Sequence, residues 1–122
     1  MAKVSRETTD TVKDYGAALD RFSDVDGTTV NFVTVHETMD LAPMLAALPG
    51  GHCSCPHWGY LFAGRMTVRY ADHEEVYEAG DAFTMPPGHV PMAEAGTEFV
   101  QFSPTDQLAA TEAAIASALE AR

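Results

Sequence analysis

Short runs of β-branched and aromatic residues recur along the chain, and each run is closed by glycine, proline or a polar turn. Such runs predict strands, and several of them at regular spacing are typical of an antiparallel sandwich or barrel. The strand–helix–strand rhythm of a parallel sheet is absent. The sequence therefore predicts an all-β fold, with strands over residues 28–36, 53–63, 65–71, 74–79, 81–85 and 97–102.

Two segments show helical spacing instead. Behind Asp40, apolar side chains recur at intervals of three and four residues up to Leu48, and a proline with two glycines follows, which predicts a short helix. The alanine-rich segment 105–122 predicts a C-terminal helix that packs on the barrel or on a second subunit. The apolar face of this second helix consists of Leu108, Ile115 and Leu119.

Residues 1–27 carry mixed charge and little periodicity, so we expect a partly ordered arm that adds at most one short strand or turn to the barrel. The predicted organisation is an arm (residues 1–27), a barrel (residues 28–104) and a C-terminal helix (residues 105–122). A chain of 122 residues fits one domain, which folds without disulfides or metal. We therefore expect any bound metal to serve function rather than folding.

The charge of the chain limits its partners. Eighteen acidic and seven basic residues give a net charge of −11, which repels nucleic acid and anionic membranes. No stretch approaches the roughly 20 consecutive apolar residues of a membrane-spanning helix. The polar N-terminus does not resemble a signal peptide. We expect a soluble, cytoplasmic protein that binds neither nucleic acid nor membranes.

The densest group of reactive side chains lies at residues 52–60 (His-Cys-Ser-Cys-Pro-His-Trp-Gly-Tyr). If this segment is extended, Cys53, Cys55 and His57 share one face. Same-face side chains lie roughly 7 Å apart along a strand, so the three reach one ion only if the strand bends, which Pro56 favours. A disulfide between cysteines this close is strained, so we expect reduced thiols. The alternative is structural: two buried thiols and a hydrogen-bonded core histidine.

A second candidate is His89, in the segment 85–91 (Met-Pro-Pro-Gly-His-Val-Pro). Three prolines and a glycine restrict the backbone, so the imidazole is held in a rigid turn at little further cost in conformational entropy. The residue types fit either a metal ligand or a side chain that only fastens the turn. Both readings stay open at the level of the sequence.

The order of these segments resembles the cupin superfamily over roughly residues 30–104. A histidine-containing segment ends at Gly64, a hairpin follows, and the segment 80–89 (Gly-Asp-Ala-Phe-Thr-Met-Pro-Pro-Gly-His) is similar to the family's second motif. More narrowly, the chain is similar to small single-domain cupins with Cys-x-Cys-Pro-His-Trp-Gly-Tyr and Pro-Pro-Gly-His segments. The resemblance implies a double-stranded antiparallel β-barrel of the jelly-roll type, and a homodimer.

The metal ligands of the cupin motifs are only partly kept. Counting back from Gly64, the position of the family's glutamate holds His57. Of the family's two histidines before that position, at most one is replaced here by a residue that can bind a metal. Pro91 stands at the second-motif histidine, while His89 lies two residues earlier with the same strand parity and so faces the barrel mouth. The resemblance therefore implies an altered ligand set, for which the candidates are Cys53, Cys55, His57 and His89.

Thiolate and imidazole ligands favour zinc, copper or iron over magnesium and calcium, and zinc is the first choice on ligand type. Iron and nickel also stay open. If the chain is an enzyme, the resemblance implies a metal-dependent oxygenase, isomerase or lyase, and the family uses these two metals for oxygenase and isomerase chemistry. Haem is a further alternative, with Cys55 or His57 as its axial ligand.

The leading hypothesis is a metal-binding cupin that binds or acts on a small organic molecule inside the barrel, with Phe62, Phe83 and Met85 as pocket walls. One alternative is a non-enzymatic ligand- or haem-binding sensor with redox-responsive thiols. Another is a structural barrel that dimerises through its C-terminal helix. Because one fold serves many chemistries, the sequence does not name the substrate.

Overall fold

The computed structural model describes residues 3–120, which form two antiparallel sheets and two α-helices. One sheet has the strand order β1-β2-β3-β10-β5-β8 and the other β4-β9-β6-β7. The predicted all-β, jelly-roll-like fold is confirmed. The elements are β1 (Thr11–Asp14), β2 (Ala18–Val25), β3 (Thr28–Val35), β4 (Met39–Asp40), α1 (Ala42–Leu45), β5 (His57–Ala63), β6 (Arg65–Arg69), β7 (Glu74–Glu78), β8 (Ala82–Met85), β9 (Val90–Ala93), β10 (Glu98–Pro104) and α2 (Thr105–Glu120).

The N-terminal region contributes more to the sheet than the arm expected from the sequence. β2 pairs with all of β3, from Ala18 opposite Val35 to Val25 opposite Thr28, and β1 pairs with β2. The β2–β3 turn is Asp26-Gly27, and both residues have positive φ (52° and 81°), as a type I′ hairpin requires. The strand lacks a clear apolar alternation because its inner face carries the buried Asp20.

The segment 53–63 is a strand only from His57 onward. Pro56 has no N–H to donate to a ladder, so the chain before it leaves the sheet. Cys53 keeps a single isolated bridge, with His89. The bend that the sequence required for a shared site is therefore present. Strand β9, which contains Pro91, was not among the predicted strands.

One end of the barrel interior is filled by apolar side chains. The rings of Tyr77 and Phe83 stack with centroids 4.8 Å apart. A Cβ on Gly59 would overlap the Phe83 ring and the carbonyl oxygen of Val100, so this packing requires glycine. Each fully buried large side chain contributes about 1.5–3 kcal/mol of hydrophobic stabilisation. This packed end consists of Leu61, Met66, Val68, Tyr77, Phe83 and Met85.

The other end of the barrel is covered by α1, α2 and the segment between Leu48 and His57. Helix α2 begins where the backbone N–H of Thr105 donates to the carbonyl of Gly27, which fixes the helix beside the β2–β3 hairpin. Its inward face packs against α1. The apolar side chains at this end are Leu41, Leu45, Leu48, Cys53, Cys55, Val90, Leu108 and Ile115.

Within residues 3–120, neither helix combines the length and the apolar content that crossing a bilayer requires.

Candidate metal centre

A cavity of about 140 Å³ lies between α2 and the inner faces of the two sheets. Its walls are mainly aliphatic and sulfur-containing side chains, and Leu108, Ile115 and Leu119 from the apolar face of α2 are among them. Polar groups reach the cavity as two clusters. We call the first the thiol–imidazole group (Cys53, His57, His89) and the second the acidic cluster (Asp20, Asn31, Glu112).

The thiol–imidazole group brings three ligand atoms together. Sγ of Cys53 and one ring nitrogen from each of His57 and His89 lie within 4.8 Å of one another. Sγ of Cys53 is 3.6 Å from Nε2 of His57. In a tetrahedral zinc site, a sulfur at about 2.3 Å and a nitrogen at about 2.0 Å from the ion are roughly 3.5 Å apart. The spacing of these two atoms therefore suits a shared metal ion.

His89 offers the clearest free ligand atom. Its Nδ1 donates a hydrogen bond to the carbonyl oxygen of Pro86 at 2.7 Å, which leaves Nε2 without a proton in the neutral ring. That Nε2 is buried and has no hydrogen-bond partner in the described part of the chain. A buried acceptor left unpaired costs about 1–3 kcal/mol. A bound metal ion would remove this cost.

Local backbone contacts hold His89 against Cys53. The Cys53 N–H donates to the His89 carbonyl, and the Gly88 N–H donates to the Cys53 carbonyl. Gly88 has a φ of 101°, a conformation that strongly favours glycine. The proline-rich turn therefore fixes the distance between the thiol and this imidazole.

The other two residues of the thiol–imidazole group also contact polar side chains that orient them. Nδ1 of His57 lies 2.7 Å from Oγ of the fully buried Ser103, so Nε2 is left toward Cys53. Oγ1 of Thr111 lies 3.2 Å from Sγ of Cys53. Metal-binding imidazoles in proteins usually carry such an outer hydrogen bond on their second nitrogen. Sequence analysis did not find Ser103 and Thr111, because each is more than 40 residues from its partner along the chain.

Burial keeps the thiol–imidazole group uncharged near neutral pH. Burial, with a smaller effect from His89, lowers the pKa of His57 to about 3. Burial also lowers the pKa of His89 and raises the pKa of the Cys53 thiol. Neutral imidazoles are the form that binds metals. The two rings lie 4.8 Å apart, centroid to centroid, without charge repulsion.

Cys55 lies outside this group. Its thiol is buried in the apolar layer beside Leu45 and Leu108, and it contacts the carbonyl oxygen of Pro56. Burial and the nearby Cys53 raise its pKa to about 12. The alternation that placed it beside Cys53 and His57 does not apply, because the chain is not extended before His57.

The three expected pocket-wall residues occupy three different places. Met85 lines the cavity and also touches the packed end. Phe83 belongs to the packed end, where it covers Gly59, and does not reach the cavity. Phe62 lies on the outer face of β5 with 46% of its surface exposed, because the even-numbered residues of that strand point away from the interior.

The acidic cluster was not predicted from the sequence. Nδ2 of Asn31 donates to Oδ1 of Asp20 at 3.0 Å and approaches Oε1 of Glu112 at 3.4 Å. Burial raises the pKa of Asp20, and burial together with Asp20 raises the pKa of Glu112 to about 7. Register places Asp20 opposite Val33 and Asn31 opposite Phe22, so the two side chains are diagonal neighbours on β2 and β3, and the return of α2 adds Glu112.

Solved structures with the same fold have low sequence identity to this chain. A protein of unknown function from Rhizobium leguminosarum bv. viciae 3841 has a TM-score of 0.62 at 15% identity, and the match covers 84% of this chain and 95% of that chain. The polyketide cyclase RemF from Streptomyces resistomycificus has a TM-score of 0.58 at 17% identity, with 86% and 80% covered. An RmlC-like cupin from Shewanella frigidimarina NCIMB 400 has a TM-score of 0.55 at 18% identity, with 83% and 88% covered.

No protein-family model matches the chain, and no curated protein matches it. The two antiparallel sheets and the structural similarity to solved cupins nevertheless agree. The chain has the cupin fold, which its sequence motifs predicted.

Proposed function

We propose that this chain is a metal-binding cupin that holds a small organic molecule inside the barrel, with Cys53, His57 and His89 as the metal ligands. The proposal rests on the buried Nε2 of His89, which has no hydrogen-bond partner among the described residues and lies beside the other two candidate ligand atoms at the cavity wall. Structural zinc sites usually have four protein ligands, whereas three leave a position open for water or substrate. The proposed site is of the second kind.

A thiolate and two imidazoles suit zinc first, with iron, nickel and copper as the other candidates. A metal in this position would act as a Lewis acid toward a molecule in the cavity. The protein's own contribution is to hold the ligand atoms and to surround the molecule with apolar walls. Ser103, Thr111 and the Pro86 carbonyl orient the three ligands.

Haem and redox-active thiols fit this site less well. The cavity of about 140 Å³ is close to an engineered cavity of roughly 150 Å³ that accepts benzene. A haem macrocycle contains four pyrrole rings and exceeds that size. The reactive form of cysteine is the thiolate, and burial raises the pKa of Cys53 and brings that of Cys55 to about 12. The thiolate is also the form that binds metals, but a metal ion coordinated by Cys53 would itself lower the pKa of that thiol, whereas a free redox thiol has no such cation.

The direct test is the metal content of untagged protein purified without added metal or chelator, measured by plasma mass spectrometry. We expect about one transition-metal ion per chain in the wild type and a loss of nearly all of it in Cys53→Ser. Cys55→Ser is the matched control, because it removes an equally buried thiol outside the thiol–imidazole group and should retain the metal. Equal loss in both variants, or a metal-free wild type, would overturn the proposal.

The proposal includes a homodimer. The outer face of β5 exposes Trp58, Tyr60 and Phe62, and Phe102 lies directly opposite Trp58 on β10. A contiguous exposed aromatic surface of this kind commonly marks a contact with another protein. A cytoplasmic location is also part of the proposal, supported by two free thiols, which persist in a reducing compartment.

Light scattering coupled to gel filtration tests the dimer. We expect about twice the chain mass of 13.1 kDa for the wild type and the single-chain mass for a Trp58→Ser, Tyr60→Ser double variant. Val76→Ser is the control, because Val76 is similarly exposed (43%) but lies on β7 of the other sheet. A monomeric wild type would refute this part of the proposal.

A further inference from the structure

The acidic cluster presents hydrogen-bond acceptors without matching donors. Asn31 is 1% exposed, and its Nδ2 contacts both carboxylate oxygens of Asp20, at 3.0 and 3.2 Å. It also approaches Oε1 of Glu112. These contacts fix the amide orientation, because Oδ1 in the same position would face two carboxylates. Oδ1 of Asn31 is consequently buried with no partner among residues 3–120.

The cluster has no ion-pair partner among residues 3–120, and the charge of Lys13 lowers the pKa of Asp20 and Glu112 by less than burial raises it. The ion pairs there involve other carboxylates, and none includes Asp20 or Glu112. Lys13 lies opposite Asp20 in the β1–β2 ladder, but it is exposed and its ammonium lies 6.0 Å from the centre of the Phe22 ring. The buried Asp20 carboxyl, the partly buried Glu112 carboxyl and Oδ1 of Asn31 therefore line the cavity, and the Asn31 amide is the one donor bonded to either carboxyl among residues 3–120. Tyr15 and Gln101 also line the cavity but make no hydrogen bond to these groups within the same residues.

We propose that the cavity recognises a small molecule that carries a protonated amine, which Asp20, Glu112 and Oδ1 of Asn31 hold. An ammonium group has three N–H donors and no acceptor, which matches a cluster of acceptors. It also supplies the charge that the two carboxylates lack, and such charge-assisted hydrogen bonds are the stronger kind. A neutral hydroxyl would satisfy one acceptor and leave the second carboxylate uncompensated.

The rest of the molecule must be small and mainly apolar, because the remaining cavity walls are mainly aliphatic. Helix α2 connects the two polar clusters: Thr111 contacts Cys53, and the next residue, Glu112, belongs to the acidic cluster. A ligand held by its amine therefore lies in the same cavity as the thiol–imidazole group. This inference rests on the proposed function, since it names the class of molecule that the barrel holds.

The raised pKa values agree with this assignment. Burial raises the pKa of Asp20, and burial and the neighbouring Asp20 raise that of Glu112 to about 7. Tyr15, which also lines the cavity, has its pKa raised by burial and by the charges of Glu112, Asp20 and Glu120. A bound cation would relieve the same repulsion and desolvation.

The test compares benzylamine with benzyl alcohol, two probes of nearly equal size, by nuclear magnetic resonance titration at pH 8. We expect the wild type to bind benzylamine at least about tenfold more tightly than the alcohol. Glu112→Gln and Asp20→Asn should each weaken benzylamine binding by roughly tenfold and change alcohol binding less than about twofold. Glu120→Gln, the same substitution at an exposed site on α2, should change neither.

The titration is run on chelator-treated and on zinc-loaded protein, and the metal content of each sample is measured. Equal affinity for the two probes, unaltered benzylamine binding in both acidic-cluster variants, or no binding of either probe by the wild type would overturn the inference. If zinc still loads, the metal proposal survives that failure. If the amine preference holds while zinc does not load, the metal proposal fails instead. The nuclear magnetic resonance spectrum of each variant is compared with that of the wild type, and a similar spectrum shows that the variant is folded.

Discussion

The two ends of the barrel interior are built from different side chains. At the packed end, Tyr77 and Phe83 stack over a glycine, and Leu61 has no exposed surface. At the cavity end, His89 and Asn31 are equally buried, but each keeps a polar atom that has no partner in the part of the chain from residue 3 to residue 120. Buried unpaired groups and empty space both cost stability. The packed end therefore stabilises the fold, while the cavity end carries the features of a binding site.

The largest expected difference between the two ends appears in a pair of leucine truncations. Leu61→Ala should lower the free energy of unfolding by about 3 kcal/mol, because it opens a new cavity in a filled core. Leu119→Ala should cost only about 1 kcal/mol, because Leu119 is partly exposed and borders space that is already empty. Urea denaturation of metal-free protein gives both values, and equal costs would remove the distinction between the ends.

The second test uses pH and the acidic cluster. Burial raises the pKa of Glu112 from 4.5 to about 7, so the folded state binds its proton more tightly than the unfolded chain does. Its contribution to stability is therefore full below about pH 4.5 and is lost as the pH rises through 7. Between pH 5 and pH 8 we expect the wild type to lose roughly 1–3 kcal/mol more than Glu112→Gln.

Asp20, Tyr15 and Lys13 surround Glu112 and are retained in the variant. Subtracting the two pH profiles of unfolding free energy therefore isolates the effect of Glu112. Profiles of equal slope in wild type and Glu112→Gln would mean that the carboxyl group is well solvated, contrary to its place in the cavity wall.

A smaller effect is expected at the hydroxyl group that contacts the Cys53 thiol. Thr111→Val removes the hydroxyl beside Sγ of Cys53 and should weaken zinc binding by roughly tenfold, the low end for outer-sphere partners. Thr111→Ser keeps the hydroxyl and should restore the affinity. Competition with a chromophoric chelator measures both variants. Equal weakening in the two would show that Thr111 acts through packing alone.

The smallest effect is expected at a surface ion pair between β4 and β6, the two strands that flank β9. Arg69 on β6 and Asp40 on β4 form an exposed ion pair at 2.7 Å. Exposed pairs contribute about 0.2–1 kcal/mol, so Asp40→Asn should change the unfolding free energy by about 0.5 kcal/mol and leave metal content unaltered. A loss of metal in this variant would mean that the cavity end depends on surface contacts that the structure does not suggest.

The sequence predicted much of the fold and part of the site. Strand spacing and the cupin motifs carried the architecture, and the proline-rich turn pointed to His89. Alternation failed at Cys55, because the chain bends before Pro56. Strand parity does not reveal which part of an interior is filled, so it could not place Phe83 at the packed end. Phe62 has the opposite parity to His57 on β5 and lies on the outer face, so its expected place in the pocket wall was wrong.

The acidic cluster could not be read from the sequence for a different reason. Asp20 and Asn31 are 11 residues apart, and Asn31 and Glu112 are 81 apart. Only strand register and the docking of α2 bring them together. Asp20 occupies an inward position of β2 and interrupts its apolar pattern, so β2 was not predicted as a strand. The same inward carboxyl group lines the cavity.

X-ray absorption at the metal edge of the purified protein shows whether one thiol and two imidazoles hold a metal. We expect one sulfur at about 2.3 Å and two imidazole nitrogens at about 2.0–2.1 Å, with the sulfur lost in Cys53→Ser and kept in Cys55→Ser. Two sulfur ligands, or none, would contradict it.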